Sequence, residues 1–183
     1  MKAALIGVHD LPSGYTAYAT AVTHIDTAGI DPGGPNCEGS TNTNVPALYA
    51  NRGFKWGGGA HLKLAKAVIT QFDSGKEADA TFAAQRVLSK CLGANILSAR
   101  GLGKKAFGFR LVEHSKDGPT GDTILGESIG YYIRVGTAIV EVDEDDIFTV
   151  KPGKAAPGKP SVDAQQVLKL AKLQATKYQR VAP

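Results

Sequence analysis

Long hydrophobic runs are missing from this 183-residue chain, and no stretch approaches the roughly 18 apolar residues a membrane-crossing helix needs. The opening residues 1–10 carry a short apolar run without a small-residue cleavage site after it. They do not read as a signal peptide, so export would require a leader removed beforehand. Aromatic residues make up only 7%, with one tryptophan, whereas glycine is abundant at 22 residues; that mix favours strands and turns over a helix bundle. Histidine is sparse and scattered: His9, His24, His61 and His114 include no i, i+4 pair, which argues against a histidine metal site. Cysteine occurs twice, at Cys37 and Cys91, and neither has another Cys or His close by in sequence. A zinc site is thereby disfavoured, leaving either one crosslink or two buried thiols.

What is present suits one domain spanning 1–183. At 43% hydrophobic and 21% charged, the chain can bury a proper core and is not globally disordered. The net charge of +4 is unevenly placed. Lys151, Lys154, Lys159, Lys169, Lys172, Lys177 and Arg180 face a single acid, Asp163, over the last segment, and the rest is net acidic. That basic stretch reads as a solvated helix face.

Asp10-Leu11-Pro12-Ser13-Gly14-Tyr15 is a turn by composition, and residues 31–44 form a Pro/Gly-rich loop that carries Cys37. Alternation between His61 and Phe72 predicts one or two strands. Ser74 and Glu77 make a capping box, followed by a stripe of Ala80, Ala84, Val87, Leu88 and Cys91 that predicts a helix with those residues buried. Residues 105–113 predict a strand with Phe107, Phe109 and Leu111 on one side and Gly108 and Arg110 on the other. Residues 129–142 predict a hairpin turning at Gly136-Thr137, which pairs Val135 with Ala138, Ile133 with Val140 and Tyr131 with Val142. Asp143-Glu144-Asp145-Asp146 reads as its solvated end. A Pro/Gly/Lys linker, 151–160, leads to a last helix over 161–180 with Ser161 as N-cap. Strands in meander order with helices before and after imply an α+β domain, a mainly antiparallel twisted sheet with helices packed on it.

Catalytic motifs fail on context. Gly126-Glu127-Ser128-Ile129-Gly130 matches a nucleophile elbow, but a strand pattern follows it and every histidine precedes Ser128. Gly101-Leu102-Gly103-Lys104-Lys105-Ala106 opens an alternating strand where a dinucleotide fingerprint would open a helix. A non-catalytic binding domain without cofactor or metal is the resulting expectation. The hairpin places Tyr132, Arg134, Ile139 and Glu141 on its outer face, with Arg134 diagonal to Glu141. The neighbouring strand is expected to add Arg110 beside a hollow at Gly108. Arg110, Tyr132 and Arg134 are therefore the candidate ligand-binding residues, suited to a small anionic or amphipathic ligand.

In order along the chain, the Asp10–Tyr15 turn, Cys37 in a Pro/Gly loop, Phe72-Asp73-Ser74 before a helix ending in Leu88-Ser89-Lys90-Cys91, and Tyr132-Ile133-Arg134-Val135-Gly136-Thr137 resemble one known group. These are the actinobacterial cell-envelope proteins related to the extracellular sensor domain of PknH-type serine/threonine kinases, many of them surface lipoproteins. The resemblance implies export to the cell envelope, a Cys37–Cys91 disulfide, and a sheet packed by helices around a ligand groove. It differs from the kinase domain in two ways: two cysteines cannot form that domain's second disulfide, and no kinase or membrane span is present. A lipoprotein would be anchored through an N-terminal cysteine, which this sequence lacks. The implied role is ligand binding or sensing at the surface, with an envelope component or small molecule as partner and no nucleic acid. An envelope scaffold or secreted protein partner is the alternative, and an enzyme of unrecognised type a minor one.

Overall fold

The computed structural model describes residues 2–23, 37, 44 and 46–182. Two short 3₁₀ turns, Lys2–Ala4 and Val8–Asp10, precede β1 (Thr16–Thr23), β2 (Leu48–Gly58), β3 (His61–Gln71) and α1 (Gly75–Cys91). The chain continues through β4 (Asn95–Leu97), β5 (Ala106–Lys116), β6 (Thr123–Val135), β7 (Ala138–Val150) and α2 (Ala164–Val181). Among the described residues, seven strands form one sheet in the order β1-β2-β3-β7-β6-β5-β4, every neighbour antiparallel. The domain is α+β, with a helix on each face. Cys37 and Cys91 are joined in a disulfide. The rest of the loop expected over 31–44 lies outside the described residues, apart from Asn44.

The hairpin forms in the expected register, with Val135 opposite Ala138, Ile133 opposite Val140 and Tyr131 opposite Val142. Gly136 takes φ +59° at the turn, a conformation that L side chains rarely adopt. Inward residues of this hairpin, together with Ala50, Phe54, Ala67 and Ile69, meet Val167, Leu170, Ala171 and Tyr178 of α2 in the main core. The N-terminal segment completes that core with Ala4, Leu5 and Ile6. Gln174, fully buried on α2, accepts from the Ile6 amide at 2.7 Å and donates to the Ala4 carbonyl at 2.6 Å.

α1 starts as expected: Ser74 Oγ accepts from the Glu77 amide, and Glu77 accepts from the Ser74 amide. Its buried face differs, running through Ala78, Thr81, Ala84 and Ser89, while Ala80, Val87 and Cys91 are exposed. Ala78 packs on Phe72 and Ile139, and the Phe82 ring meets Phe107 at 5.2 Å. Small and hydroxyl side chains let the helix lie close to the sheet, so apolar counting placed Ala84 correctly but buried Ala80, Val87 and Cys91, which face solvent. α2 begins later than expected, because Asp163, not Ser161, caps it by accepting from the Gln165 and Gln166 amides.

The acidic run is not a solvated hairpin end. β7 continues through it to Val150, paired on both sides by β3 and β6, and Asp143, Glu144 and Asp146 are buried. β4 pairs only with residues 108–110 of β5, so among the described residues the outer edge of β5 beyond Arg110 has no neighbouring strand.

Candidate functional site

Cross-strand pairing separates the expected site residues. Arg110 stands opposite Ile129, on the α2 face, whereas Tyr132 and Arg134 stand opposite Glu141 and Ile139, on the α1 face. Partners in a ladder share a face and alternate residues do not, so Arg110 and Arg134 cannot converge. The expected hollow at Gly108 is filled by Tyr131: a Cβ there would lie 2.6 Å from its ring. The Arg134 guanidinium is turned toward α1, with Nη2 donating to the Gly75 carbonyl at 3.1 Å and Nε 3.1 Å from the Asp79 carboxylate, an ion pair without hydrogen-bond geometry. Glu141, expected to pair with Arg134, takes Lys66 at 3.1 Å and the Tyr132 hydroxyl at 3.4 Å instead. Tyr132 is wedged among aromatic rings, 5.1 Å from Phe107 and 5.8 Å from Phe109. Tyr132 and Arg134 thus brace the seat of α1.

The acidic run alternates between the two faces. On the α2 face, Glu144 accepts the Tyr15 hydroxyl at 2.8 Å, and Asp146 accepts the Ser161 amide at 3.0 Å and lies 3.2 Å from Lys63 and 2.7 Å from His61. Next to them, Glu127 accepts the Val162 amide at 2.8 Å and binds Arg110 Nε at 2.5 Å. Buried carboxylates need such donors, and these moor the segment that leads into α2. On the α1 face, Lys66 lies between Glu141 and Asp143, and Ser128 hydrogen-bonds Asp145. Ser128 sits mid-strand beside a carboxylate, without the strand-to-helix turn an elbow requires.

These environments give a signed pH dependence. Burial, then Glu141, pushes the Asp143 carboxyl well up, and burial raises Glu144 and Asp145 as well. For each, the folded state keeps a proton that the unfolded chain releases, so stability rises as pH falls through that window toward about 4. Asp146 acts oppositely. Burial alone would raise it, but the Ser161 amide, His61 and Lys63 outweigh burial and hold it low. Its contribution is lost as pH falls below about 4. Urea midpoints should increase between about pH 7 and pH 5 and collapse below about pH 4, and Asp143→Asn should flatten the upper limb. A midpoint falling steadily from neutral pH would contradict this.

Two clefts open on the α2 face, divided by residues 159–163. One, of about 300 Å³, has apolar walls from Val112, Leu125 and Pro160 and a mixed-charge rim of Arg110, His114 and Lys159 with Glu113 and Glu127. The other, of about 340 Å³, is lined by Tyr15, Trp56, Lys63, Glu144, Asp163 and Gln166. Sequence reasoning found Arg110 but none of the second group as site residues. The signal lay in the lone tryptophan and in an acidic run within a β-branched, strand-like stretch ending Ile147-Phe148-Thr149-Val150.

No family model and no curated protein matches the chain. Among solved structures it is similar to the crystal structure of the extracellular domain of PknH from Mycobacterium tuberculosis. The TM-score is 0.52 at 12% identity, covering 98% of this chain and 94% of that one. The two domains share a fold, with one helix-packed antiparallel sheet in this chain.

Proposed function

We propose that this is a non-catalytic, extracellular, sensor-like domain of an actinobacterial envelope protein, of the surface-lipoprotein kind, that binds a small amphipathic anion. The full-length likeness to a kinase extracellular domain supports the setting, as does the disulfide, since such bonds persist in oxidising compartments. The observation that carries the ligand class is the Arg110 cleft. Only Nε of Arg110 is engaged among the described residues, leaving the two terminal nitrogens of an exposed guanidinium above an apolar floor. A carboxylate or phosphate headgroup would sit on that fork with Lys159 beside it, and the apolar body would cover Val112, Leu125 and Pro160.

Titration with dodecanoate or a short-chain phosphatidic acid tests the reading. Arg110→Ala is expected to weaken binding about tenfold, the worth of a charge-assisted fork, and also to lower the melting temperature, because buried Glu127 loses its cation and keeps only the Val162 amide. Arg134→Ala is expected to keep binding and cost about 1–3 kcal/mol of stability, because it strands the α1 seat. Equal binding by wild type and Arg110→Ala would refute the assignment. The alternative, a scaffold or secreted protein partner, is favoured by the outer edge of β5 beyond Arg110, which has no neighbouring strand among the described residues and where Val112 is 65% exposed. Strand addition there would protect the 111–116 amides from exchange when a partner is present.

A further inference from the structure

We infer that the second cleft, at Trp56 and Glu144, is a separate binding site for an organic cation, an ammonium or guanidinium group on a small molecule or chain end. Five parts of the chain converge on it: the segment before β1, the end of β2, the start of β3, the middle of β7 and the first turn of α2. Such convergence around about 340 Å³ of open space is the usual setting of a ligand site.

The charge balance selects the ligand. Lys63, the cation lining the cleft, is committed: its ammonium lies 3.2 Å from Asp146 and donates to the Ser161 carbonyl at 3.2 Å. The carboxylates are not fully committed. Glu144 is only 6% exposed, and its Oε1 takes Tyr15, but Oε2 has no hydrogen-bond partner among the described residues. Asp163 uses Oδ1 for both amides of its cap, which leaves Oδ2. Once ionised, above the pH window in which Glu144 keeps its proton, these carboxyls accept and never donate, so both free oxygens call for donors. A neutral ligand would add to the desolvation of Glu144, which Tyr15 and Lys63 offset only in part, whereas a cation compensates it.

The walls agree with that choice. Tyr15 and Trp56 line the cleft, and an aromatic π-system attracts a cation, indole most strongly. The Trp56 ring is fixed by His61, 5.3 Å away and edge-on, which in turn stacks on Phe148 at 4.1 Å. It also lies against Gly14, where a Cβ would come within 2.6 Å of the indole. A platform held from two sides loses little entropy on binding. The site is separate from the Arg110 cleft, which lies beyond the 159–163 segment.

Trp56 is the only tryptophan, so its emission reports on this cleft alone. Choline, its uncharged isostere 3,3-dimethylbutan-1-ol and glucose would be titrated at constant ionic strength. Choline is expected to change the emission saturably and to bind about tenfold more tightly than the isostere. Glu144→Gln, which keeps an acceptor for Tyr15, should weaken choline about tenfold. Asp163→Asn keeps the helix cap and removes the charge, and should weaken choline about threefold with an unchanged melting temperature. Equal affinity for choline and its isostere, saturation by glucose instead, no saturation by any of the three, or unaltered choline binding by Asp163→Asn would each overturn the inference.

Discussion

Replacement of Gln174 by leucine is expected to lower the unfolding free energy by about 2–5 kcal/mol, although leucine is an apolar residue entering an apolar core. The side chain is fully buried and satisfies two backbone groups at once, the amide of Ile6 and the carbonyl of Ala4. Leucine would orphan both, and each buried, unpaired polar group costs roughly 1–3 kcal/mol. Gln174→Glu separates the two bonds, because a carboxylate can still accept from Ile6 but cannot donate to Ala4. Its loss should be at least as large once the cost of a buried charge is included. The N-terminal segment keeps other ties, from Arg52 Nη1 to the Ile6 carbonyl at 2.9 Å and from Lys177 to Asp10 at 2.6 Å. Native-state hydrogen exchange should therefore reveal early release of residues 4–11 in the variant. A Gln174→Leu protein with an unchanged urea midpoint would mean that this segment is not docked as described.

The second large effect concerns the disulfide. Cys37 and Cys91 are 54 residues apart, and in the chain-entropy model a loop of that size is worth about 4 kcal/mol. For a chain of this length that corresponds to a drop of roughly 8–16 °C in melting temperature on reduction or in the Cys37→Ser/Cys91→Ser double variant. The bond also joins the end of α1 to a segment between β1 and β2, so the variant should expose the α1 end of the sheet to proteases first. A double variant that melts within a degree or two of the parent would place the stabilising contacts elsewhere.

The parts of the fold legible in the sequence were those where local pattern and tertiary role coincide. The 129–142 hairpin has apolar residues at strict alternation around a glycine turn, and its register follows from that. The Ser74 capping box is a contact over three residues and needs nothing from the rest of the chain. β1 and β2 gave little signal, because Thr16–Thr23 and Leu48–Gly58 alternate small, polar and aromatic residues and bury few large ones. The acidic run was misjudged for a different reason. Four consecutive carboxylates look solvated until the amide of Ser161, the Tyr15 hydroxyl and Lys66 are brought to them from distant positions. The candidate site failed on sheet geometry: the hairpin faces were right, but only the β5–β6 register reveals that Phe107 and Phe109, rather than Arg110, share the side of Tyr132. Trp56, Glu144 and Asp163 lie on three elements far apart in sequence, and no local pattern connects them.

The β3–β7 pairing is a slow seam between two pieces of sheet that each form from consecutive strands. Strands β1 to β3 form one succession of neighbours and β4 to β7 another, each closed by pairings between consecutive strands. The seam between them runs from His61 opposite Phe148 to Gln71 opposite Ala138, joining residues from opposite ends of a long intervening stretch. Closing that stretch costs chain entropy before any contact repays it, so the two halves can form quickly while their union is slow. A nascent or translocating chain would therefore hold β3 as an unprotected strand edge until β7 emerges. The charged Lys63 and Lys66, both on β3, would discourage that edge from pairing with another copy during the wait.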